Sequence, residues 1–126
     1  MSIVSEVRIT DPKTGGQKGQ KDEQLGAIDP EALLEMARVA GFGAGKYATF
    51  NFVRGYSWLL SIHALLRHVL KFAAGEDRDQ ESGYLHMAHA GWHCMTLCTF
   101  ILRKRGTDDR IVRFIEEIEQ EHRGQD

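Results

Sequence analysis

The stretch 56–74 constrains the fold more than any other. Leu59, Leu60, Ile62, Leu65, Leu66, Val69, Leu70 and Phe72 recur at helical spacing and spread over more than one helix face. That width predicts a central, largely buried helix, which must be covered by other elements. With 126 residues there is room for one domain and one core. No useful run alternates with period two. The expected fold class is therefore all-α.

The remaining helices follow from their start and stop residues. Asp29-Pro30-Glu31 reads as a helix start, with a capping Asp, a first-turn Pro and an acid at the positive end of the dipole. Leu33, Leu34, Ala37 and Ala40 continue it, and Gly41, Gly43 and Gly45 are expected to end it, leaving 41–57 as a connecting loop or short turns. Gly75 stops the central helix. A further helix is predicted from Ser82 or Gly83 to about Arg105, carrying Leu85, Met87, Trp92, Met95, Leu97, Phe100 and Ile101. Thr107 and Asp108 can cap a last amphipathic helix with Ile111, Phe114, Ile115 and Ile118 on one face. Residues 1–28 are polar, with the string Gly15-Gly16-Gln17-Lys18-Gly19-Gln20-Lys21, and hold too few apolar groups to fix an element. The expectation is a bundle of about four main helices, a flexible N-terminal arm over 1–28 and a single helical domain over 29–126. So short a chain with so apolar a helix is expected to form a homo-oligomer, a dimer or tetramer.

Sixteen basic and eighteen acidic residues give a net charge of -2. That balance argues against a general nucleic-acid coat and a polybasic membrane binder. No apolar run is long enough to span a bilayer and the first residues lack a signal-peptide pattern, so a cytoplasmic protein is expected. Cys94 and Cys98, four apart on a helix, are expected to be small core residues in a reducing compartment.

Chemistry concentrates between residues 63 and 93, which hold five of the six histidines. His86, His89 and His93 share one helical stripe. Four carboxylates, Glu76, Asp77, Asp79 and Glu81, lie just before that helix, and the preceding helix offers Arg67 and His68. A helical hairpin about this loop would gather His68, the acids and His86 at one end. Carboxylates with one or two imidazoles suit Mg²⁺ or Mn²⁺, and Mn²⁺ or Zn²⁺ better as nitrogens are added. The bland alternative is a solvated acidic loop beside packed histidines. His93, two turns from the loop, reads as a bystander, and His63 and His122 as structural or surface residues. Asp77-x-Asp79-x-Glu81 is not an EF-hand, because Ser82 stands where Gly is needed and Ala88 where Glu is needed. There is no zinc-protease or P-loop motif. A second cluster, Gly45-Lys46-Tyr47, Asn51, Arg54 and Trp58, offers a cation, an amide and aromatic faces. These suit a nucleotide, although Tyr47 and Trp58 could equally cover the helix pair.

Together these strings resemble a known family. Gly-Gly-Gln-Lys-Gly near the start, Gly43-Ala44-Gly45-Lys46-Tyr47 with Asn51, Arg67-His68, and Gly75-Glu76…Asp79…Glu81-Ser82-Gly83…His86…His89 are similar to the phage dATP/dGTP diphosphohydrolase N-terminal family, the MazZ-type enzymes, over roughly Thr10 to Arg103. These are grouped with MazG-like all-α nucleotide pyrophosphohydrolases. The resemblance implies Mg²⁺- or Mn²⁺-dependent cleavage of dGTP or dATP to the monophosphate and pyrophosphate, with dGMP supplied for 2-aminoadenine deoxynucleotide in a phage. MazG-like enzymes carry an E-E-x-x-E helix and an E-x-x-D helix. Glu76-x-x-Asp79 matches the second string but sits in an expected loop; His86-x-x-His89 is the alternative occupant of that pair's place on its helix, and Glu31 and Glu35 are candidates for a further carboxylate pair.

The expected catalytic residues are Glu76, Asp79, Arg67 and His68. Metal ligands are expected among Glu76, Asp77, Asp79, Glu81, His86 and His89. Lys46, Tyr47, Asn51, Trp58, Lys18 and Lys21 are expected to bind a deoxypurine nucleoside triphosphate. Neither a membrane nor polymeric nucleic acid is an expected partner. The alternative is a non-catalytic helical oligomer, a phage accessory protein whose metal only staples the bundle; a metal-dependent nuclease is disfavoured by the acidic balance.

Overall fold

The computed structural model describes residues 6–124, so the outermost positions of the two expected spans, 1–5 and 125–126, lie outside the described residues. Two units divide the chain, Met1–Glu31 and Ala32–Asp126.

The first unit holds an antiparallel hairpin where no fixed element is expected. Strand β1 (Glu6–Thr10) pairs with β2 (Gln17–Lys21) in the register Val7 to Gln20 and Ile9 to Lys18. Turn chemistry rather than burial makes it. Asp11 Oδ1 accepts from the amides of Lys13 at 2.8 Å and Thr14 at 3.0 Å, and Gly15 takes a positive φ of 78°. Val7 and Ile9 remain exposed.

Helix α1 (Pro30–Lys46) starts where expected, Asp29 Oδ1 accepting from the Glu31 amide at 3.1 Å. It does not stop at Gly41, as the sequence suggests, but runs through Gly43 and Gly45. Each glycine weakens a helix by about 1 kcal/mol relative to Ala without breaking its hydrogen-bond ladder, and the ladder continues from Gly43 O to the Tyr47 amide. In the second unit Val39 is buried and Phe42 sits edge-on to Tyr84 and His89. Met36 lies so near Gly91 that a Cβ there would come within 3.0 Å of its sulfur.

A short 3-10 turn (Asn51–Arg54) leads to α2 (Trp58–Ala73), then α3 (His86–Arg103) and α4 (Ile111–Gly124). Helices α2 and α3 pack antiparallel. Tyr56 meets Phe100 at 5.0 Å between rings, Ser61 meets His93 at 3.0 Å, and His68 meets His86 at 2.9 Å. The α2 N-terminus is capped from the α3–α4 connection rather than locally. Asp109 Oδ1 accepts from the Leu59 amide at 3.1 Å, and Asp109 Oδ2 accepts from the Ser57 hydroxyl. Gly55 and Gly106 cross there at positive φ, and a Cβ on Gly106 would stand 2.3 Å from the Tyr56 carbonyl oxygen.

Two expectations are corrected by the packing. α2 is central but not largely buried: Leu60, Leu66, Leu70 and Phe72 are exposed, and its one fully enclosed residue is Ser61. Only α3 packs extensively on it. Cys94 and Cys98 are exposed instead of core, because His86, His89, Thr96 and Phe100 occupy the buried face of α3. The architecture is the predicted one, predominantly helical with four helices.

A candidate metal and nucleotide site

The loop between α2 and α3 is tightly hydrogen-bonded. Asp79 Oδ2 accepts from the Ser82 amide at 2.9 Å, its carbonyl accepts from the Gly83 amide at 2.8 Å, and its own amide donates to Tyr84 O at 2.8 Å. The His86 amide donates to Asp77 O at 2.9 Å. The start of α3 is thereby tied to the loop, and Asp79 is held close to the imidazoles.

Those imidazoles form a stack across the helix pair. His68 lies parallel to His89 with ring centroids 4.5 Å apart, and is 5.1 Å from His86 and 6.3 Å from His93. His86 is fully buried and its Nε2–H donates to Glu76 Oε2 at 3.0 Å. Its Nδ1 lies 2.9 Å from His68 Nδ1. Ser82 Oγ accepts from the Tyr84 amide at 3.2 Å and lies within hydrogen-bond distance of His89 Nε2 at 2.7 Å.

Burial holds three of these imidazoles neutral. His68 is pushed down to about 4 by burial, by the neighbouring His89 and by His86, against the pull of Asp79. His93 is pushed down to about 4 by burial and by His68 and His89. His89 is lowered as well, again mainly by burial. Burial alone would raise the Asp79 carboxyl, but its hydrogen bonds from Ser82 and the imidazoles His89 and His68 keep it below the usual range.

One ligand atom each of His68, Asp79 and His86 lies within 4.8 Å of the other two. Two donors bound to one ion at about 2.1 Å, side by side, stand about 3 Å apart, which is the separation of the two Nδ1 atoms. The Glu76–His86 hydrogen bond is the usual support of a metal-ligating histidine. Two nitrogens and a carboxylate oxygen suit Mn²⁺ or Zn²⁺ better than Mg²⁺.

Two of the three, His68 and Asp79, line a cleft of about 840 Å³; His86 is fully buried and does not reach it. The cleft lining includes the polar groups Lys46, Arg67, His68, Asp79, Glu81 and His89 and the side chains of Phe52, Tyr56, Trp92, His93 and Met95. Tyr47 and Asn51 lie on its rim, both exposed. Lys46 Nζ is 3.3 Å from Glu81 Oε1, at an exposed pair. Arg67 is exposed and makes no ion pair among the described residues.

Several expected site residues are elsewhere. Trp58 is not on this cleft: its Nε1 donates to Arg105 O at 2.9 Å and Arg110 stacks on its ring at 5.1 Å. Asp77 is exposed and contributes its backbone carbonyl to the loop. Glu81 faces Lys46, and Glu76 faces the far nitrogen of His86. Lys18 and Lys21 belong to the hairpin unit, where Lys18 Nζ donates to Gly19 O at 3.4 Å. Of the further acids, Glu35 pairs with Arg38 at 2.6 Å. His93, read from the sequence as a bystander, lines the cleft and joins the stack. The signal was present in the 86/89/93 stripe, but distance along the chain from the loop concealed it.

With this geometry in view, the comparisons agree with the sequence motifs. The family model described as "dATP/dGTP diphosphohydrolase, N-terminal" matches residues 12–110. The chain belongs to this family. A relative in Salmonella phage PMBT28, named dATP/dGTP diphosphohydrolase, is 34% identical over 97 residues, which is 77% of this chain and 33% of the relative. The chain thus spans about a third of the length of that curated family member. No solved structure matches it. No helix among the described residues is long and apolar enough to cross a membrane.

Proposed function

We propose that the chain is a nucleoside triphosphate pyrophosphohydrolase, cleaving dGTP or dATP to the monophosphate and pyrophosphate with a divalent cation held by His68, Asp79 and His86. The observation that carries this reading is that two of those donors, His68 and Asp79, line a cleft that also presents Lys46 and Arg67. A bound Mn²⁺ or Mg²⁺ supplies Lewis-acid charge to phosphate oxygens and lowers the pKa of a water. Arg67 and Lys46 offset the charge on the polyphosphate. The Lys46–Glu81 pair is exposed and therefore weak, so a phosphate competes for Lys46 at little cost. Glu76 orients His86 through its Nε2–H and leaves Nδ1 free as a donor atom. His68 remains neutral near pH 7, so a ring nitrogen lone pair is available to the ion.

The name of the phage relative supports the two purine substrates. The resemblance extends the reading to supply of dGMP for 2-aminoadenine deoxynucleotide in the cytoplasm of an infected host. The exposed apolar faces of α2 and α4 support a homo-oligomer. A panel of deoxynucleoside triphosphates, with pyrophosphate and orthophosphate assayed separately, tests the reaction. Pyrophosphate from dGTP and dATP is expected in the presence of Mn²⁺, and at least a hundredfold loss of it in His86→Ala; orthophosphate alone would contradict the proposed bond. Full burial of His86 also favours a metal that staples the fold. Under that second reading, EDTA lowers Tm yet no nucleotide raises it.

A further inference from the structure

The cleft lining offers two kinds of contact: Lys46, Arg67, His68 and Asp79 suit a polyphosphate and its cation, and the side chains of Phe52, Tyr56, Trp92 and His93 suit a flat base. His93 is held in place there by a buried chain of hydrogen bonds. Ser61 Oγ, wholly inaccessible to solvent, lies 3.0 Å from His93 Nδ1 and 2.5 Å from the Tyr56 hydroxyl. The other ring nitrogen, Nε2, has no protein partner among the described residues and is not sealed from solvent, which leaves it open to the cleft.

Ser61 has one proton to give, and two complete arrangements exist. In the first, Tyr56 donates to Ser61 and Ser61 donates to His93 Nδ1. The imidazole proton then sits on Nε2, and the cleft sees a donor. In the second, His93 Nδ1–H donates to Ser61 and Ser61 donates to the Tyr56 oxygen. Nε2 then carries a lone pair, and the cleft sees an acceptor. Both satisfy the buried hydroxyl, so neither arrangement leaves an unpaired buried group of the kind that is costly. The two purines differ in this property at the 6-position: guanine presents an oxygen acceptor, adenine an amino donor.

We propose that His93 reads the 6-position of the purine, and that the Ser61 proton, by choosing between His93 and Tyr56, lets one pocket accept both a 6-oxo and a 6-amino base. This rests on the reading that the cleft takes a deoxypurine triphosphate. It supplies a physical reason for a site that serves two bases with opposite hydrogen-bonding patterns. Burial keeps the imidazole neutral, as a tautomer pair requires.

Tyr56→Phe tests this, since it removes the phenolic oxygen and leaves His93 Nδ1 as the partner for the Ser61 proton. Nε2 is then fixed as a donor. Binding of α,β-imido dGTP and dATP, measured calorimetrically with Mn²⁺, is expected to shift towards dGTP by about 3- to 10-fold, the worth of one net hydrogen bond. His93→Gln, whose amide offers both a donor and an acceptor, is expected to keep both purines, and His93→Leu to weaken both. An unchanged ratio in Tyr56→Phe, or a shift towards dATP, overturns the proposal. Wild-type protein that binds both analogues but releases no pyrophosphate from dGTP or dATP overturns the hydrolase reading and leaves this one standing. Wild-type protein that binds neither overturns both.

Discussion

Asp79 has two duties that can be separated by substitution. Its Oδ2 accepts from the Ser82 amide and its carboxylate is one of the three candidate donors. An amide retains the acceptor and loses the charge. Asp79→Asn is therefore expected to fold with wild-type Tm in EDTA and to bind Mn²⁺ at least tenfold more weakly by calorimetry. Asp79→Ala removes both, and is expected to cost about 1 kcal/mol in denaturant unfolding as well. Equal Mn²⁺ affinity in wild type and Asp79→Asn would remove Asp79 from the ligand set. The histidines add a pH dependence. His68 and His93 titrate near 4 in the folded chain, whereas an unfolded histidine titrates at about 6.5. On acidification the unfolded state takes up protons first. Their contribution to stability is therefore whole above pH 6.5 and is lost as pH falls through about 4. Tm in EDTA should decline steadily across that window; a flat profile between pH 7 and 4.5 would contradict the buried neutral pair.

At the level of elements, the two crossing glycines and the glycines of α1 make opposite predictions. Gly106 needs its positive φ, and a Cβ would run into the Tyr56 carbonyl. Gly106→Ala should destabilise the chain by about 2 kcal/mol in denaturant unfolding. Gly41 has a helical backbone and open space around it. Gly41→Ala should stabilise by up to about 1 kcal/mol in the same experiment, and a loss there would mean that α1 does not run through this position. Helices α2 and α3 were legible from apolar spacing to within a few residues, since Gly75 and Gly106 do mark their ends. The α1 boundary was not, because three glycines signal a stop more strongly than they enforce one. The cap on α2 was equally hidden: Asp109 comes from fifty residues downstream of Leu59, a separation no local motif encodes.

For the whole molecule, the antiparallel packing of α2 on α3 decides what belongs to the site. It brings His68 to His86 and Ser61 to His93, which the chain order alone keeps apart. It also removes Trp58, which stands ten residues before His68, about 15 Å along the helix. That His68, Asp79 and His86 approach one another could be expected from their nearness to the acidic loop in sequence. That Ser61 of α2 meets His93 of α3, two turns from the loop, could not. The thinness of the packed layer has its own consequence. Leu66, Leu70 and Phe72 of α2 are uncovered, so sedimentation of the protein at micromolar concentration should return at least a dimer. A monomer throughout would show that these faces tolerate water.

Helix α4 leads further. Every one of its residues is exposed, and no other element packs extensively against it. A helix of fourteen residues is marginal in water when left to itself. Its coiling should therefore vary with dilution, so that the far-ultraviolet ellipticity of this protein becomes a gauge of how crowded its molecules are.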